Sequence, residues 1–543
     1  LAGLSGCAFQ PPEKIVPYVK APEEITPGIP LFYATAMPFM GYGLGLLAEA
    51  NEGRPTKLEG NPDHPTSRGT TDLWAQAEIL NLYDPDRSQT IRQAGASSDW
   101  DTFAGALASQ IEALRPTQGQ GFVLVTESVT SPTLQNLIAQ AQEALPRMRW
   151  ISYEPLNRDN VRQGVALAFG RDLHPVYHFD RADKIVSLDC DFLHEEPGHV
   201  AHAREFVSGR ELTQANGEIV AAETATMNRL YTFESTVTMT GSMADHRYPV
   251  KAAQIEAVAR ALAAELGVPG VSASQTALPE NVQKAIPAIA ADLRASRGRA
   301  LVVAGAHHSS AVHAMAHAIT AALGGAGATG PISYHAPFDG SNGDQLEEML
   351  SLVRDMGAKT VRAVVFMNTN PAYTLPSDVK FKEALANVPF KAHYGAYDDE
   401  TGVLCDWHVP AAHFLEYWGD VRAIDGTVSL IQPLVQPLYE AAKSPAEFLA
   451  AFTGQRGVSS YDIVRGRYLA SRGGNDNKAF QVFWQEAVHN GFIPGTAAPA
   501  VGVSPRAISL PETATNASGL EVNFRPDPTL LDGRYANNGW LQE

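Results

Sequence analysis

Short apolar runs alternate with helical segments along most of this chain, and that alternation constrains its architecture more than any other feature. Residues 121–126 (GFVLVT), 148–153, 184–188 (KIVSL), 300–304 (ALVVA), 332–335, 361–367 (VRAVVFM) and 389–394 read as strands. Between and around them, residues 99–114, 131–145, 160–169, 250–266, 309–323, 346–356 and 381–386 carry apolar side chains at helical spacing. Strands without polar alternation are buried on both faces, so they pair in parallel beneath covering helices. The grammar predicts an α/β fold of doubly wound parallel sheets. At 543 residues there is room for three or four domains.

Ahead of this alternation lies the most specific stretch, residues 53–87, GRPTKLEGNPDHPTSRGTTDLWAQAEILNLYDPDR. Residues 55–58 read as a short strand. Gly60, Asn61, Pro62 and Pro65 supply the angles of a tight reversal. Residues 73–83 have helical spacing, and Asp84-Pro85-Asp86-Arg87 ends the helix. This stretch resembles the N-terminal region of molybdopterin oxidoreductases, where a Gly-Arg-x-x-x-x-x-Gly-Asn-x-x-His-Pro turn leads to a helix ending near Tyr-x-Pro-Asp-Arg. In the catalytic members, three cysteines upstream of the turn and a fourth after it hold an iron–sulfur cluster. Here the fourth position falls in Gly69-Thr70-Thr71-Asp72-Leu73-Trp74, and the upstream residues 32–43 (FYATAMPFMGYG) also lack cysteine. A cluster needs four thiolates, so none is expected at this place.

Further segments agree with the family, among them residues 182–188, 300–305 and 370–376, and the resemblance spans roughly residues 30–438. Tyr153-Glu154-Pro155, Met227-Asn228-Arg229-Leu230-Tyr231, Glu234-Ser235 and residues 240–247 (TGSMADHR) resemble the B subunit of alternative complex III, a quinol-oxidising module of respiratory and photosynthetic membranes. The resemblance implies two interleaved Rossmann-like domains, 96–150 with 331–455 and 151–330. A degenerate remnant of the cluster domain, 31–95, precedes them, after an export or lipobox remnant and extended arm, 1–30. An irregular segment, 456–543, would lead to a following domain, and the family's C-terminal β-barrel is absent from this sequence. It further implies a non-catalytic scaffold with no cofactor, catalytic or metal residues of its own. Such a scaffold would dock a ferredoxin-like iron–sulfur subunit, multihaem and monohaem cytochrome c subunits, and polytopic quinol-binding membrane subunits, at the periplasmic face of the bacterial inner membrane. The rival expectation is a divergent molybdenum or tungsten oxidoreductase of the polysulfide or thiosulfate reductase type.

Charge and cysteine usage bound these expectations. A formal net charge of −18 and a pI near 5.4 exclude a nucleic-acid surface, which needs clustered Lys and Arg, and suit a basic partner instead. The three cysteines, Cys7, Cys190 and Cys405, cannot make a disulfide framework or a zinc quartet. Cys190 and Cys405 either bridge each other or stay as buried thiols. Leu4-Ser5-Gly6-Cys7 fits a lipobox, making Cys7 a candidate lipidation site; the alternative is an uncleaved export segment. Residues 13–30 hold four prolines and no hydrophobic period, and read as an extended arm. Residues 32–50 contain Pro38, glycines and Glu49, and do not read as a membrane span.

Other constellations carry less. Gly325-Ala326-Gly327-Ala328-Thr329-Gly330 has the letters of a dinucleotide fingerprint but follows a helix instead of opening one, so it reads as a helix end and turn. His194, Glu195, Glu196, His199 and His202 miss zincin spacing, and Pro197-Gly198 reads as a helix break inside a solvated surface loop. His307, His308, His313 and His317 read as core packing or partner contact, and Asp398, Asp399, Glu400, Thr401 and Asp406 as structural.

Overall fold

The fold is described from a computed structural model that covers residues 25–213, 217–221, 225–340, 343–511 and 519–543. Cys7 and most of the 13–30 arm lie outside the described residues.

The chain opens with an antiparallel meander of β1 (Leu31–Phe39), β2 (Tyr42–Asn51) and β3 (Arg54–Gly60). Thus residues 32–50 form a hairpin turning at Met40 and Gly41, and the glycines have a packing reason. A Cβ on Gly45 would overlap the His64 ring, and one on Gly60 would overlap the Thr70 backbone. The helix Leu73–Leu82 follows, capped by the Asp72 carboxylate on the Ala75 N–H. Asp99, Ser131, Asp344, Ser459 and Asn477 cap later helices the same way, each worth about 1 kcal/mol.

A short hairpin, β4 (Ile91–Gln93) and β5 (Ala96–Ser98), leads into β6 (Phe122–Thr126) and β7 (Arg149–Ser152). The chain then leaves to build a second unit from β8 (His174–Tyr177), β9 (Lys184–Leu188), β10 (Arg229–Glu234), β11 (His246–Pro249), β12 (Ala300–Ala304) and β13 (Ile332–His335). It returns through β14 (Ala363–Met367), β15 (Phe390–Gly395) and β16 (Trp407–Pro410). The first sheet runs β7-β6-β14-β15-β16, all parallel, with β4 and β5 added antiparallel at one edge. The second runs β11-β10-β9-β12, all parallel, while β13 pairs antiparallel with β8. In order of appearance these are 2-1-3-4-5 and 3-2-1-4, the two common doubly wound orders.

Each sheet has its own core. Phe103, Tyr394 and Phe448 anchor one, and Phe179, Phe192 and Phe206 anchor the other, all fully buried. After 456 the helical spacing of residues 478–488 emerges as the helix Lys478–Asn490, and a helix not expected there, Ser460–Ser471, joins it in packing Tyr468, Phe480 and Trp484 beneath a small hairpin, Gly419–Arg422 with Val428–Ile431. The amphipathic segment expected at 250–266 is a 3₁₀ turn and then a shorter helix, Ile255–Glu265. Among the described residues no helix is long and apolar enough to cross a membrane.

Candidate functional site

In an open α/β sheet, ligands bind outside the carboxyl ends of the strands where the strand order reverses. Those reversals lie between β6 and β14 in the first sheet and between β9 and β12 in the second. Both are occupied by side chains of this protein.

At the first reversal, Glu127 and Ser128 follow β6 and Asn368 follows β14. Asn368, in the left-handed region at φ 54°, donates from Nδ2 to Glu127 Oε1 at 2.9 Å. The Ser128 N–H donates to Glu154 Oε1 at 3.0 Å. The β1–β2 tip descends onto this floor, where the Thr130 hydroxyl donates to the Gly41 carbonyl at 2.6 Å and a Cβ on Gly41 would come 2.7 Å from Ser128 Cβ. From the C-terminal segment, Arg534 Nη2 reaches Asp532 at 2.7 Å and Glu154 Oε2 at 3.6 Å. Burial pushes the Glu127 and Glu154 carboxyls up, and the Arg534 guanidinium draws them back. The space left is a cavity of 90 Å³, flanked by cavities of 40 and 50 Å³ beside Met40 and Tyr42. Sites for drug-sized ligands run to about 300–1,000 Å³, several times the space these side chains leave. Larger hollows of 580 and 420 Å³ are open grooves at the β4 edge of the sheet.

At the second reversal, Asp189 follows β9 at φ 54°, and His307 and His308 follow β12. The two Nε2 atoms lie 3.5 and 3.2 Å from Asp189 Oδ2. Arg525 of the C-terminal segment pairs with Oδ1. Ser235, just past β10, donates from N and Oγ at 3.4 and 3.3 Å. Burial alone would raise the Asp189 pKa, but the two histidines and Arg525 hold it far below the carboxylate range. Gly305 permits this arrangement, because a Cβ there would overlap the Asp189 carbonyl.

One segment therefore closes both crevices. Glu521 accepts from the Ala252 and Ala253 N–H groups at 2.8 and 2.7 Å, and Arg525 and Arg534 then enter the two reversals. Tyr535 donates to Glu78 at 2.8 Å and Asn538 to the Ala77 carbonyl at 2.9 Å.

The cluster position is packed without sulfur. Thr35 exchanges hydrogen bonds with the Gln432 backbone at 3.1 and 3.0 Å. Trp74 stacks between Phe39 and His194, with ring centroids at 4.9 and 5.4 Å, and its Nε1 donates to the Pro528 carbonyl at 2.8 Å. Asp72 meets His199 at 3.1 Å. The cysteines among the described residues, Cys190 and Cys405, are both free thiols; burial pushes Cys190 well up, and they stand at β9 and β16. This donor set does not fit a four-thiolate cluster.

The structure corrects the reading of residues 194–202. Pro197-Gly198 starts a helix instead of breaking one: Gly198, at φ 86°, precedes the helix His199–Ser208, and Glu196, His199 and His202 are buried. Glu196 accepts from Arg158 at 2.7 Å and from the Ala306 N–H at 3.0 Å, tying the carboxyl ends of the two sheets together. His313 and His317 are core residues, His317 meeting the Tyr334 hydroxyl at 2.9 Å. Asp399 accepts from the Thr401 and Gly402 N–H groups at 3.0 and 2.8 Å, Asp398 pairs with Arg92, and Asp406 with Lys391 at 3.2 Å. Residues 325–330 follow the helix Ser310–Ala322, with Gly324 left-handed at φ 77°. Spacing grouped His307 and His308 with their helical neighbours and missed Asp189, 118 positions upstream of His307. The signal present in the sequence was that Asp189 and the His pair each end a buried strand.

No family model matches the chain. It is 25% identical over 483 residues to the menaquinone reductase, molybdopterin-binding-like subunit, of Nitratidesulfovibrio vulgaris strain Hildenborough, covering 80% of this chain and 67% of that one. Acetylene hydratase from Pelobacter acetylenicus superposes with a TM-score of 0.56 at 12% identity, over 77% of this chain and 69% of the other. The fold is that of the molybdopterin oxidoreductases, as the 53–87 signature implied.

Proposed function

We propose that this chain is a non-catalytic, molybdopterin-enzyme-like scaffold subunit of a quinone-linked electron-transfer complex of the alternative complex III type, and that it carries neither a pterin metal centre nor an iron–sulfur cluster. The observation that carries the reading is the filled crevice: Arg534 and the Gly41 tip take up the first strand-order reversal, and Thr35, Trp74 and Asp72 stand where thiolates would. A relative that is itself a molybdopterin-binding-like subunit of a menaquinone reductase supports the quinone link. With no redox group of its own, the chain serves as a rigid platform. The net charge of −18 suits basic docking surfaces on ferredoxin-like and cytochrome c partners, at the periplasmic face of the membrane and with attachment through partners or a lipid on Cys7. The test is affinity purification from detergent-solubilised membranes of the native host. The reading expects haem c, iron–sulfur and polytopic membrane subunits to co-elute in fixed ratio, and recovery of the chain alone would overturn it.

A further inference from the structure

The second strand-order reversal holds a set of donors that the scaffold role does not use. Asp189, His307 and His308 converge, each offering one ligand atom within 4.8 Å of the others, with the two histidine Nε2 atoms 3.5 and 3.2 Å from Asp189 Oδ2. Zinc bound to imidazole nitrogen and carboxylate oxygen at about 2.0–2.1 Å in a tetrahedron places neighbouring ligand atoms about 3.3–3.4 Å apart. The two histidine–carboxylate separations bracket that edge length, so closing the set around an ion calls mainly for the two imidazoles to draw together.

The surroundings are those of an oriented ligand set. Asp189 is buried; Oδ1 is taken by Arg525 and the Ser235 N–H, and Oδ2 faces the two histidines while accepting from the Ser235 hydroxyl at 3.3 Å. Such outer partners fix a carboxylate ligand in place. His308 is buried and His307 half-buried, with 22% of its side chain exposed, which gives an ion and a completing water a way in.

We infer that Asp189, His307 and His308 form a site for one divalent transition-metal ion of the zinc class, seated at the strand-order reversal of the second sheet and tied through Asp189 to Arg525 of the C-terminal segment. The ion is redox-inert and needs three protein ligands plus water. It would lock the loops after β9 and β12 and hold the closing segment in place. This inference stands apart from the scaffold reading and survives its failure.

The test titrates the chelator-treated full chain with Co²⁺ and then Zn²⁺. One Co²⁺ per chain, with the intense visible absorption of tetrahedral coordination and displacement by Zn²⁺, is expected. His307→Gln and His308→Gln should each weaken binding on the order of 100-fold or more, while keeping the parent's circular dichroism in chelator. A Ser309→Ala control should leave affinity unchanged. No stoichiometric binding, an octahedral spectrum, or parent affinity in both histidine variants overturns the site. If a glutamine variant misfolds, extended X-ray absorption of the Zn²⁺-loaded parent decides: two imidazoles and no sulfur support the site, and any Zn–S scattering refutes it.

Discussion

Arg87 closes the signature stretch, and its replacement gives a sharply defined energetic prediction. Its side chain is 2% exposed and faces Glu416, which is fully buried. Nη2 meets Oε2 at 2.6 Å and Nη1 meets Oε1 at 3.1 Å, while Nη1 also donates to the Leu82 carbonyl at 2.8 Å. Glu416 accepts in addition from the His413 and Leu438 N–H groups at 2.7 and 2.9 Å. The pair thus clamps the end of helix Leu73–Leu82 to the chain beyond β16. Removing one partner of a buried pair strands the other charge, at a cost of about 3–5 kcal/mol. Arg87→Ala is expected to destabilise by that amount at pH 7. Arg87→Met with Glu416→Gln removes both charges and keeps an acceptor for a backbone N–H, and should recover about 2 kcal/mol of the loss. Burial alone would raise Glu416, but Arg87 and the backbone donors hold it below the usual carboxylate value. Its stabilisation is therefore present above the unfolded pKa of about 4.3 and lost as pH falls through the lower folded value. The Arg87→Ala penalty should accordingly shrink below pH 4. Urea unfolding, with hydrogen exchange of helix Leu73–Leu82 as a local readout, measures each quantity. An Arg87→Ala loss under 1 kcal/mol, or a double variant no more stable than the single, would refute the reasoning.

Three other outcomes follow from the same geometry. Gly45→Ala should cost about 1–3 kcal/mol through overpacking against the His64 ring, read as a lowered urea midpoint. Burial holds His64 and His408 at about 4. The unfolded chain therefore binds more protons than the folded one between about pH 6.5 and 4, and stability should fall across that window as pH drops, by roughly 3 kcal/mol for His64 alone, whose ring is fully buried; a flat urea midpoint from pH 6.5 to 4.5 would contradict this. Arg525→Ala with Arg534→Ala removes both plugs of the closing segment and should speed proteolytic cleavage near residues 519–534 at least tenfold, leaving helix Leu73–Leu82 protected.

What the sequence revealed depended on whether a signal was periodic. The runs KIVSL and ALVVA emerged as β9 and β12 at their expected bounds, because fully buried parallel strands have no polar interruptions to blur their ends. The β1–β2 hairpin was not legible, since Gly43 and Gly45 look like breakers in sequence yet serve close packing against Val421 and His64. Helix Glu280–Ala295 was hidden by Pro287 in its interior, and His199–Ser208 by a Pro-Gly pair that bounds the helix instead of interrupting it. The loss of thiolates at the cluster position was readable because it is a property of single residues. The plugs were not: Arg525 and Arg534 act one at a time from an extended segment, and nothing local connects them to Asp189 or Glu154. The Asp189, His307 and His308 set required knowing that β9 and β12 are neighbours in the sheet.

Elemental analysis of the chain taken from its native host reads directly what the first crevice holds. Molybdenum and tungsten are quantified per chain by mass spectrometry, and pterin by fluorescence after acid oxidation. A crevice filled by Arg534 and the Gly41 tip should give less than roughly a tenth of an equivalent of each. About one equivalent of either metal together with pterin would contradict it.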